Sequence, residues 1–130
     1  MHTLDFQEET VTLPWLPRLA GALTAGYGVT VAARPAVMLG PCGWSDEDPA
    51  LRAAARMVAL RDVASGLAML AAPTTTALRL ALAARVMADL SDATVLGLAL
   101  RGRPQRGKAI AVAAGWGLLC GATAATTRPN

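Results

Sequence analysis

With 130 residues, the chain has room for one domain, or for four membrane-crossing helices with short connections. Apolar residues make up 54% of it and charged residues 16%, against about 25% charged in ordinary soluble domains, which argues against a soluble domain with a polar surface. The net charge is only +3, so where the charges sit says more than how many there are.

The N-terminal tail, residues 1–14, is acidic at its start. Met1 to Glu9 lacks a basic stretch ahead of an apolar core, so no secretory signal is read there. A first apolar segment covers about 15–39, free of charge from Leu19 to Ala33 and carrying Arg34-Pro35 near its end. The loop from Gly40 to Pro49 is dense in turn formers and acids, and Asp48-Pro49 makes a good helix start. A second segment covers about 50–72. Pro73 and the threonines after it form a turn so short that the third segment, about 74–100, must return antiparallel beside the second. The fourth, about 109–127, holds no charge at all and meets the roughly 20-residue requirement for a span outright. A soluble helical bundle would show a polar stripe on every helix, and segments one and four lack one.

Arg101, Arg103, Arg106 and Lys108 gather between segments three and four, which predicts a cytoplasmic loop. The first loop then lies inside too, and both termini are non-cytoplasmic. Small residues predict where helices touch: Gly117 and Gly121 form a G-x-x-x-G extended by Ala113, and Ala20, Thr24 and Gly28 share that spacing beside Ala22 and Gly26. Such faces let backbones approach closely in lipid, packing helix one on helix four or joining two copies.

Segments two and three carry charges that hydrocarbon does not accept unpaired: Arg52, Arg56, Arg61 and Asp62 on one, Arg85, Asp89 and Asp92 on the other. Across a tight antiparallel turn, residues equally far from the turn lie at equal depth. That sets Asp62 opposite Arg85, Arg56 opposite Asp89 and Arg52 opposite Asp92. Arg85, Asp89 and Asp92 share one helix face, as do Arg52 and Arg56; Asp62 sits off that stripe. Arg61 is left without an obvious partner. The arrangement reads as a ladder fixing hairpin register, or as the lining of a polar cavity for a headgroup, a quinone or a proton path.

The run Arg56 to Gly66, with Ala59-Leu60-Arg61-Asp62-Val63-Ala64-Ser65-Gly66 at its centre and the Arg85, Asp89 and Asp92 helix after it, resembles a bacterial family of small four-helix membrane proteins of unknown function. More broadly the chain is similar to the DoxX-like four-helix membrane proteins, some of which are associated with quinone-linked oxidation. The likeness covers about Leu16 to Ala125. It implies a fold and no catalytic residue.

Other chemistries find no residues. His2, the one histidine, lies in the tail, and Cys42 with Cys120 gives no ligand spacing, so neither haem, metal nor a Ser–His hydrolase is expected. A small multidrug exporter wants an acid inside helix one, which is absent from Leu19 to Ala33. Arg101-Gly102-Arg103-Pro104 copies a minor-groove hook but is more simply a positive-inside loop, and no nucleic acid is expected. The sequence therefore predicts an all-α, four-transmembrane-helix antiparallel bundle, multi-pass in the inner (plasma) membrane. It is expected to be a non-enzymatic scaffold or accessory subunit without a cofactor, its partners the bilayer and another helix or copy. The alternative is a redox-associated or ligand-binding protein, holding quinone or lipid in a cavity around Arg61, Asp62, Arg85 and Asp89.

Overall fold

The computed structural model describes residues 15–127; the tail, residues 1–14, and its expected placement lie outside them. The described residues form five α-helices and no strand: α1 (Trp15–Ala33), α2 (Ala36–Leu39), α3 (Pro49–Ala71), α4 (Thr75–Ala99) and α5 (Arg106–Thr123), the last continued by a 3-10 turn at Ala124–Thr126.

Local chemistry sets most boundaries. The first apolar segment is not one helix, as its composition suggests, but two. Proline disfavours helical backbone in the residue before it and lacks an N–H to donate, so α1 stops at Ala33, ahead of Arg34-Pro35, and α2 is a single turn. Asp48 caps α3, its Oδ1 accepting from the Ala50 and Leu51 amides at 2.8 and 3.4 Å, with Pro49 in the first turn. Thr74 caps α4 by accepting from the Ala77 amide at 3.1 Å. The far end of α3 is closed from another helix: Arg18 of α1 donates to the Leu70 and Ala72 carbonyls at 2.5 and 3.0 Å, supplying donors that a helix C-terminus lacks. Helix α5 begins at Arg106, earlier than its first apolar residue, and Arg106 folds back to donate to the Gly97 carbonyl at 2.7 Å.

Packing divides the chain into two antiparallel pairs, α1 on α3 and α4 on α5. Backbone contact makes the first pair. A Cβ on Gly28 would stand 2.6 Å from the Ala59 carbonyl oxygen, and one on Gly66 would stand 2.5 Å from the Ala25 amide nitrogen. In the second pair Gly117 seats against the Asp89 Cβ and Gly121 against Val86. The expected match of helix one with the last helix is thus corrected: each small-residue face is used, but on α3 and α4 respectively. The reason is that α3 and α4 carry small residues of their own at the crossings (Ala55, Ala59 and Gly66; Gly97), whereas α1 and α5 are held apart for most of their length. At the turn end the two pairs meet through Ala20, Met69, Leu78, Leu82 and Cys120.

Over their middle turns, α3 and α4 reverse the polar-out pattern of a water-soluble helix. Asp62, Arg85 and Asp89 are buried, while Met57, Leu60, Leu67, Leu80, Met87, Val95 and Leu98 of the same two helices face outward. One stretch, Arg106–Thr126, is by itself long and apolar enough to cross a membrane. The other three long helices, each expected to span, are not apolar enough by themselves, because Arg18 and several Gly and Thr dilute α1, and the internal charges dilute α3 and α4.

Candidate functional site

Five charges of α3 and α4 form one chain of alternating sign. Arg85 is 1% exposed and uses every nitrogen: Nε and Nη2 donate to the two oxygens of Asp89 at 3.0 and 2.5 Å, and Nη1 donates to Asp62 Oδ1 and Ser65 Oγ, each at 2.7 Å. Arg61 repeats the fork from the other helix, donating to both oxygens of Asp92 at 2.9 and 2.6 Å and to Asp62 Oδ1 at 3.2 Å. The order in space is Asp89–Arg85–Asp62–Arg61–Asp92. Two-pronged guanidinium–carboxylate contacts are the strongest kind and hold their geometry closely. Arg61 Nε is buried and takes no partner.

Of the pairs that hairpin register sets opposite one another, Asp62 and Arg85 meet. The other two do not. Asp89 is taken by Arg85 one turn earlier on its own helix, and Arg56 instead donates to the Ala32 carbonyl of α1 at 3.2 Å. Asp92 is taken by Arg61, and Arg52 lies exposed near Arg34, Asp46 and Glu47 with no ion pair to either α4 carboxylate. The residue left over in the register argument, Arg61, is therefore a full member of the chain. Its long stem crosses the offset between helices, a reach that Cα positions alone do not convey. Ser65 is a member that register missed; its signal was the three-residue spacing from Asp62, which puts both on one face.

This chain of charges floors a cavity of about 830 Å³. Asp62, Arg85, Asp89 and Asp92 line it, while Arg61 stands behind them, so the expected set of four exchanges Arg61 for Asp92. The walls come from α1, α2 and α5, chiefly Leu23, Tyr27, Met38, Val112, Trp116 and Leu119. Thr24 and Trp116 tie α1 to α5 beside it: the indole Nε1 donates to Thr24 Oγ1 at 3.0 Å, and Thr24 donates to the Ala20 carbonyl at 2.7 Å. From there the cavity separates the two helices as far as Pro41, Cys42 and Lys108 near the loops. Cys42 is buried at that end, and burial pushes its thiol up. None of the wall residues stands out in the sequence, since an aromatic or leucine in an apolar helix is ordinarily core or lipid-facing.

Such a site offers shape, apolar surface and fixed charge, the elements of small-molecule recognition. Among the described residues no group of three or more His, Cys, Asp or Glu is arranged to hold a metal ion. No protein-family model, no curated protein and no solved structure matches the chain.

Proposed function

We propose that this chain is a membrane protein of four crossing helices, α1, α3, α4 and α5, that binds a small amphiphilic molecule. The observation that carries the reading is the cavity itself, with charged groups as its floor and apolar side chains as its walls. Inward charge and outward Leu, Met and Val support the membrane setting, because each helix then offers lipid its apolar face. The basic residues Arg101, Arg103, Arg106 and Lys108 support a cytoplasmic loop between α4 and α5, in an inner membrane, with both termini on the other side. In architecture the proposal groups the chain with DoxX-like four-helix proteins. A ligand passing between α1 and α5 would reach the floor directly from the bilayer.

The scaffold reading draws on a different observation, that Arg61, Asp62, Arg85, Asp89 and Asp92 are all held in ion pairs. Native mass spectrometry on protein released from membranes in mild detergent separates the two. A retained small amphiphile is expected on the wild type, and none on the double variant Leu23→Trp/Val112→Trp, which fills the walls and leaves the charges intact. A wild type that carries nothing under conditions preserving bound lipid sinks the binding proposal and leaves the scaffold.

A further inference from the structure

The cavity floor does not balance. Two guanidinium groups, Arg61 and Arg85, face three carboxylates, Asp62, Asp89 and Asp92. Asp89 and Asp92 each engage both oxygens with one arginine. Asp62 is different. Both of its arginine partners land on Oδ1, so Oδ2 of a side chain in a residue only 7% exposed receives no donor from them, and Asp62 lines the cavity. The one other charged residue on the described lining is Lys108, which is exposed beside the loop at the start of α5, where water and salt screen it from the floor.

An excess negative charge in an apolar surround is costly, and an opposite charge brought beside it recovers that cost. We infer that the cavity takes a cationic amphiphile: an organic ammonium or related onium group set against Asp62, its apolar body lying between Leu23, Val112 and Leu119. The inference rests on the reading of this cavity as a ligand site. Two wall residues suit the same cation. Tyr27 and Trp116 bring aromatic rings, whose faces attract positive charge, and Trp116 is already held by its bond to Thr24. An anionic headgroup would meet the wrong sign: both arginine forks are already closed on carboxylates, leaving no guanidinium face open toward it. A volume of about 830 Å³ lies within the ordinary range for small-molecule sites and admits one bulky hydrophobic ion.

Charge can be reversed without changing shape, and removed with a smaller neutral analogue. The full chain in phosphatidylcholine nanodiscs is dialysed against tetraphenylphosphonium, tetraphenylborate and neutral triphenylphosphine oxide, each corrected against empty discs. Saturable binding of the phosphonium is expected, about tenfold or more tighter than either other probe, weakened about tenfold by Asp62→Asn and abolished by Leu23→Trp/Val112→Trp. Equal or tighter binding of the neutral or anionic probe overturns the cation inference and leaves the ligand-binding proposal standing. Failure of all three probes, together with no retained amphiphile in mass spectrometry, removes both. Undiminished phosphonium binding to the wall-filled variant places the probe outside the cavity and also overturns the inference. The comparison of probes on wild-type protein decides the matter even where Asp62→Asn fails to fold.

Discussion

At the scale of single residues, Arg85 is the centre of the hairpin. It donates four hydrogen bonds from a nearly inaccessible position, and removing it leaves Asp89 buried without its counter-charge and Asp62 with only the 3.2 Å contact from Arg61. Arg85→Leu is expected to cost about 3–5 kcal/mol, the range for one partner of a buried pair. Arg52→Ala, at an exposed position without an ion pair to the α4 carboxylates, should stay within about 0.5 kcal/mol. Thermal unfolding of the two variants in the same detergent measures the contrast; equal melting would mean that the charges do not hold the hairpin. How far these roles could be read beforehand depended on reach. The Asp62–Arg85 contact was legible because two residues at one depth need no long stem to meet. Arg61 and Asp92 were not, since they lie at unequal depths and only the extended arginine joins them. Arg56 was misread for the converse reason: a nearby helix carbonyl satisfied it sooner than a distant acid could.

Among the helices, glycine position decides which pairs form. Gly28 and Gly26 lie in the same helix but meet different surroundings: a Cβ on Gly28 collides with the Ala59 carbonyl and Val63, and one on Gly26 meets nothing within 4 Å. Gly28→Ala should therefore force α1 off α3 and lower stability by roughly 1–3 kcal/mol, the usual cost of overpacking. Gly26→Ala should raise it by up to about 1 kcal/mol through helix propensity alone. Opposite signs in paired melting curves are the expected outcome; a shared sign would mean α1 does not pack as described. The sequence shows where these small-residue faces are, because their spacing is plain. It does not show which face meets which, because Ala and Gly populate every helix here and α3 hides its own face among Ala55, Ala59 and Gly66. The break at Pro35 was foreseeable from proline chemistry, but was masked by the unbroken apolar run on either side.

For the molecule as a whole, the proposed orientation has a direct check. Both native cysteines are buried, and burial raises the Cys42 thiol, which lowers its reactive thiolate fraction near neutral pH. A single introduced Arg103→Cys should thus report almost alone. Membrane-impermeant maleimide added to intact cells should leave it unlabelled, and label it once the membrane is opened; labelling in intact cells would reverse the topology. The charged chain also bears on how such a protein enters a bilayer. Helix α3 carries Arg61 and Asp62 but leaves Asp92 and Arg85, the partners that complete their pairing, on α4, beyond the Pro73 turn. On the proposed topology α3 is a poor candidate to partition into lipid as it leaves the ribosome, each central charge alone costing about 2.5–3.5 kcal/mol on insertion scales. Its answering charges arrive only with the next 25-residue helix. The biogenesis unit is then the hairpin rather than the helix, with α3 waiting at the translocon until α4 is synthesised and the two enter together, already paired.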